Sequence, residues 1–112
     1  MKETITWNDF CKIEMRTGTI IAVFDFPEAR NPSYKLHVDF GPEVGTRKTA
    51  AQITEKYNKE ELLGLQVIAV VNFPKKQIAN FMSECLILGA VDNNSVVLLQ
   101  PQMNVPNGLK IS

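Results

Sequence analysis

The chain is poor in the residues from which most catalytic and metal centres are built. It has two cysteines, Cys11 and Cys85, far apart in sequence, and a single histidine, His37. That inventory makes neither a Cys/His zinc site nor a cysteine–histidine pair. Both thiols are expected to be reduced and mostly buried. Excess charge is also missing: 12 basic side chains face 12 acidic ones, for a formal net charge of +0. Domains that bind polyanions indiscriminately are usually strongly basic. Any nucleic-acid contact must therefore come from the placement of a few charges. No apolar run approaches the ~20 residues that span a bilayer. Nor does a long apolar segment follow Met1-Lys2-Glu3-Thr4, so no signal peptide is expected and a cytoplasmic location follows by default. There is no glycine-rich phosphate loop, paired catalytic carboxylates or nucleophile–base–acid set at a recognisable spacing. The expectation is a protein that is not an enzyme and uses no metal or cofactor.

What remains is a chain of 112 residues, 45% apolar, which fits one domain over residues 1–112 with one core. Residues 6–12 predict a short helix, with Thr6 as cap, Asp9 near the positive end, and Trp7 and Phe10 as a lid on the core. A long first strand ends at Phe26, and Gly18 within it suggests a bend or bulge. Tyr34 to Phe40 alternates strictly, putting Lys35, His37 and Asp39 on a wet face. A turn at 41–45 leads to a third strand over 46–53 that carries Arg47 and Lys48 near its start. Asn58-Lys-Glu-Glu61 has the form of a capping box, and Gly64 ends the short helix it opens. Strands are expected at 66–72 and 85–91, then a hairpin turn at Asp92–Ser95 and a return strand at 96–99. Three strands, a short helix and two more strands is the order of an OB-fold: all-β with short helices, a five-stranded Greek-key barrel with terminal extensions.

Between the last two barrel strands lies a donor-rich loop holding Lys75, Lys76, Gln77, Asn80 and Ser83. Lysines offer charge to phosphate, and hydroxyls and amides offer hydrogen bonds to sugar, phosphate or base edges. Arg30, Lys35, Arg47 and Lys48 extend this patch if their strands neighbour the loop. The loop also carries Phe73, Ile78, Phe81 and Met82. Packing is expected for the first two. Phe81 and Met82 either pack or line a groove for extended polypeptide.

A family resemblance runs through almost the whole chain. It is carried by Glu14-Met-Arg-Thr-Gly18, Phe26-Pro-Glu-Ala-Arg30, Tyr34-Lys-Leu36, Ala51-Gln-Ile-Thr54 and Glu61-Leu-Leu-Gly64. It continues in Val70-Val-Asn-Phe-Pro74, Lys76-Gln-Ile-Ala-Asn-Phe-Met-Ser-Glu84 and Val105-Pro-Asn-Gly108. The chain resembles the tRNA-binding domain family, and within it the members regarded as export-related chaperones. The resemblance implies an OB-fold homodimer that binds tRNA at its elbow, with a second role toward exported polypeptides and their export machinery. It also implies a basic residue, a glycine, a serine and a Gly-Met pair in the loop. Here these positions hold Lys76, Asn80, Ser83 and Cys85-Leu86. Side chains in place of glycine narrow backbone access for a sugar-phosphate strand and suit a site adapted to apolar peptide.

Overall fold

The computed structural model describes residues 1–112. The elements run α1 (Trp7–Cys11), β1 (Met15–Asp25), β2 (Tyr34–Asp39), α2 (Gly41–Val44), β3 (Thr46–Ala51) and α3 (Lys59–Leu62). They continue with β4 (Gln66–Val70), β5 (Lys76–Ile78), β6 (Phe81–Ser83), β7 (Leu86–Ile87), β8 (Gly89–Asp92) and β9 (Ser95–Leu98). The main sheet is antiparallel in the order β3-β2-β1-β4-β7. Three successive strands with a fourth returning beside the first is the Greek-key arrangement expected of an OB-like barrel. The barrel nearly closes where β3 meets the chain after β6: Glu84 N–H donates to the Lys48 carbonyl at 2.8 Å.

The core is the inner face of this sheet: Ile20, Leu36, Val38, Phe40, Val67 and Ala69 are all inaccessible to solvent. Leu62 of α3 joins them, held there by a complete Asn58/Glu61 capping box. Gly18 proves not to be a bulge. A Cβ there would lie 2.7 Å from both Phe40 Cδ1 and Val38 Cγ1, so its hydrogen is what lets these side chains pack against β1. The irregularity comes instead at Ile21, between Ile20 and Ala22, where the β1–β2 register shifts.

β1 is long because it serves two partners on one edge. Its second half pairs with β2, while its first half takes the C-terminal tail. Gly108 N–H donates to the Thr17 carbonyl at 2.7 Å, Thr17 N–H to the Leu109 carbonyl at 3.0 Å, and Ile111 N–H to the Met15 carbonyl at 3.1 Å. Buried Arg16 fastens this tail: its guanidinium donates to the Gly108 carbonyl at 2.9 Å and to the carboxylates of Glu14 at 2.8 Å and Glu43 at 2.6 Å.

Four expectations change. The expected strand at 85–91 is two strands, β7 on β4 and β8 on β9, because the chain turns at Leu88 to serve two sheets. The turn at 41–45 is a helical turn, α2, flanked by Gly41 and Gly45 at positive φ. α1 forms behind its Thr6/Asp9 capping box but buries no residue; Trp7 is 69% exposed, so it is not a lid. Cys85 is buried as expected, but Cys11 on α1 is exposed.

Candidate nucleic-acid interface

The donor-rich segment is a hairpin, not a loop. Lys76 pairs with Ser83, Gln77 with Met82 and Ile78 with Phe81 across β5 and β6, and Ala79-Asn80 forms the tip. Ala79 takes φ of 52°, a conformation that favours glycine, and Gln77 Nε2 steadies it by donating to the Ala79 carbonyl at 3.1 Å.

The hairpin leans over a cleft of about 1000 Å³ between its base, the β1–β2 loop, the end of β3 and the β8–β9 hairpin. Ile53, Ile87, Val96 and Leu98 make an apolar floor. Arg30, Lys75, Lys76 and Gln77 stand at the rim, and Ser83 lies in the wall. Five of the expected residues thus share one concavity, though Arg30 is far from the hairpin in sequence. Arg30 and Lys76 are exposed and make no ion pair, whereas Lys75 Nζ lies 3.6 Å from Glu84 Oε2.

Ser83 differs from the rim residues because its hydroxyl is engaged. It lies 2.9 Å from Thr49 Oγ1 and accepts from Ala50 N–H at 3.4 Å. Thr49 donates in turn to the Cys85 carbonyl at 2.7 Å. These rungs, with Glu84 Oε1 accepting from Lys48 N–H at 3.0 Å, tie the hairpin base to β3 and close the barrel. That backbone hydrogen bond, helped by Lys75 and Lys48, holds the Glu84 carboxyl below its usual range despite partial burial. Burial pushes the neighbouring Cys85 thiol up to about 12, so it stays protonated and unreactive.

The other expected residues lie outside the cleft lining. The Arg47 guanidinium donates to the Val71 carbonyl at 2.7 Å and to the Glu84 carbonyl at 3.5 Å, so it braces the hairpin base. Asn80 is exposed at the tip. Phe81 packs on Phe26 with ring centroids 5.5 Å apart, under Lys48 Nζ at 5.2 Å and Lys35 Nζ at 5.9 Å. Met82 is on the opposite face of the hairpin beside Gln77. The apolar floor was not foreseen, because its members come from the segment after β3, from β7 and from β9 and read in sequence as ordinary core.

Comparison with known proteins decides the family. The model of the tRNA binding domain matches residues 15–110. The chain belongs to the tRNA-binding domain family. It is similar to methionine–tRNA ligase of Pyrococcus horikoshii, 38% identical over 97% of this chain. It spans only 15% of that ligase. Among solved structures it resembles the chaperone CsaA of Bacillus anthracis, with 49% identity, a TM-score of 0.93 and coverage of 98% of this chain and 100% of CsaA. CsaA of Picrophilus torridus is similar at 52% identity and a TM-score of 0.91, covering 97% of this chain and 100% of that one. These relationships make the chain a tRNA-binding-family module of OB-like fold. No helix in it is long and apolar enough to cross a membrane.

Proposed function

We propose that this protein is a non-catalytic, cytoplasmic tRNA-binding module, a single domain over residues 1–112, that grips folded tRNA by shape and phosphate contacts. The observation that carries this is the unpaired cationic rim, Arg30 and Lys76, joined by Lys75 over one cleft. Long flexible ammonium groups at a rim suit phosphates, and folded RNA is recognised largely by its contour and its 2′-hydroxyls. Gln77 and Asn80 supply neutral donors beside the rim. Ser83 acts mainly by holding the hairpin in register.

Binding to unfractionated tRNA should weaken with salt, with a log–log slope of roughly −0.7Z to −0.9Z for Z phosphates neutralised. Lys76→Ala should flatten that slope by about 0.7 to 0.9. An unchanged slope would remove Lys76 from the interface.

The protein also works as a homodimer. On and around α1, Met1, Ile5, Trp7 and Ile13 are exposed, Trp7 touching only Phe10 among the aromatic rings, and Met103 on the tail is 71% exposed. Exposed apolar side chains clustered on terminal extensions support a subunit seam. Sedimentation at micromolar concentration giving only the 12.6 kDa species would exclude it.

A second reading, a polypeptide-binding chaperone for exported proteins, is favoured by the apolar cleft floor and by the similarity to CsaA. Phe81 and Met82 would serve this role only if the hairpin opens, since neither lines the cleft. The reading predicts protection of an unfolded client that resists moderate salt. Protection that collapses as steeply as tRNA binding rules it out.

A further inference from the structure

The outer face of β1 and β2 carries a feature that the cleft does not use. Strict alternation from Ile20, which is wholly buried, would send Ala22 and Phe24 into the core as well. The register shift at Ile21 reverses this parity. Val23 opposite Leu36 then packs inward, while Ala22 opposite His37 and Phe24 opposite Lys35 turn outward. The bulge thus places a large apolar ring on the surface, 47% exposed.

The ring does not stand alone. Phe24 and His37 meet edge to face with centroids 5.3 Å apart. Lys35 and Lys48 lie on the same face by register, their ammonium groups above Phe26 and Phe81 at 5.3 and 5.2 Å. Two carboxylates border this face: Asp39 accepts from Gly41 N–H at 2.8 Å and keeps its charge, and Glu84 takes Lys48 N–H and Lys75. A half-exposed ring backed by a part-buried imidazole, on a face that also carries two lysines, fits a flat ring attached to an anion.

We infer that Phe24, backed edge to face by His37, is a stacking platform for an unpaired base of the bound RNA, with Lys35 and Lys48 holding the flanking phosphates. This inference rests on the tRNA-binding reading and adds to it a second contact on a different face. Base–aromatic stacking tolerates any sequence and adds a term that salt does not screen.

The test is salt-titrated binding of unfractionated tRNA to full-length wild type, Phe24→Leu, Phe24→Tyr and Lys76→Ala, with folding checked by circular dichroism. Phe24→Leu keeps an apolar side chain but removes the π face. It should weaken binding by at least about 5-fold at every salt concentration, within the roughly 5- to 150-fold range for one stacked base, and leave the slope unchanged. Phe24→Tyr keeps the ring and should bind within about two-fold of wild type, which excludes a folding artefact. If Phe24→Leu binds like wild type while Lys76→Ala flattens the slope, the platform is wrong and the tRNA reading stands. Wild type that does not bind tRNA ends both. Phe24→Leu that loses affinity for an unfolded polypeptide and keeps it for tRNA assigns the face to peptide and overturns the platform.

Discussion

Thr49 and Ser83 decide whether the serine of the hairpin belongs to the ligand or to the barrel. Thr49→Val is nearly isosteric but deletes the hydroxyl that donates to the Cys85 carbonyl at 2.7 Å and meets Ser83 Oγ at 2.9 Å. The only other hydroxyl near that carbonyl is Ser83, at 3.4 Å. The net worth of one such bond is about 1 kcal/mol, and a buried acceptor left weakly satisfied costs about 1 to 3 kcal/mol. Thr49→Val should therefore destabilise by about 2 kcal/mol, and Ser83→Ala, which forfeits the Thr49 contact and the long Ala50 contact, by about 1 kcal/mol. The double variant should cost less than the sum by about 0.5 to 1 kcal/mol, since the shared bond is lost once. Urea unfolding followed by circular dichroism is the assay, because the single tryptophan, Trp7, is exposed and reports poorly on the core. Additive effects, or Ser83→Ala with unchanged stability and weakened tRNA binding, would show that the hydroxyl serves the ligand and that the closure argument is mistaken.

Three more perturbations test other parts of the fold. Gly18→Ala should destabilise by about 1 to 3 kcal/mol in urea unfolding, because a Cβ 2.7 Å from Phe40 and Val38 must displace fully buried side chains. Ala79→Gly should stabilise by up to about 1 kcal/mol in thermal unfolding by relieving the positive φ at the hairpin tip, and a loss of stability would contradict the strain assigned there. Glu84→Gln should destabilise at neutral pH by on the order of 1 kcal/mol. The folded-state pKa of Glu84 lies below its ordinary 4.5, so the carboxylate's contribution is complete above about 4.5 and disappears as pH falls through the lower folded value. Wild type and variant should converge in acid, and a difference that persists at pH 2 would count against this assignment.

Local signals were legible in the sequence wherever one segment sets its own geometry. The Thr6 cap, which Asp9 completes into a capping box, and the Asn58/Glu61 capping box are both present, and strict alternation from Tyr34 to Asp39 became β2 with its wet face as read. The Asp92–Ser95 turn closes β8 on β9. What stayed hidden needed a partner distant in sequence. Gly18 is explained only by Phe40 and Val38, which arrive from β2 and beyond. The engagement of Ser83 depends on Thr49, and that of Arg47 on the carbonyls of Val71 and Glu84. The cleft rim was partly legible because Lys75, Lys76 and Gln77 are contiguous. Its floor was not, since apolar residues carry the same signature whether they meet core or cleft.

Zero net charge and the proposed cationic rim are compatible because part of the charge is paired off away from the cleft. Four of the basic residues are matched to carboxylates: Lys12 to Asp9, Arg16 to Glu14 and Glu43, Lys59 to Asp25, and Lys75 to Glu84. The first three sets lie at α1, between the start of β1 and α2, and between α3 and the end of β1, all outside the cleft lining. Arg30 and Lys76 at the rim, and Lys35 over aromatic rings, form no ion pair, and Lys48 has only the Glu84 carboxylate, shared with Lys75, in its field. Charges separated by more than about 10 Å are largely screened at ordinary ionic strength. A phosphate at the rim therefore responds to the few cations beside it, while the paired carboxylates elsewhere contribute little there. The bulk charge thus governs solubility, and the arrangement around one hairpin governs which anion the protein can hold.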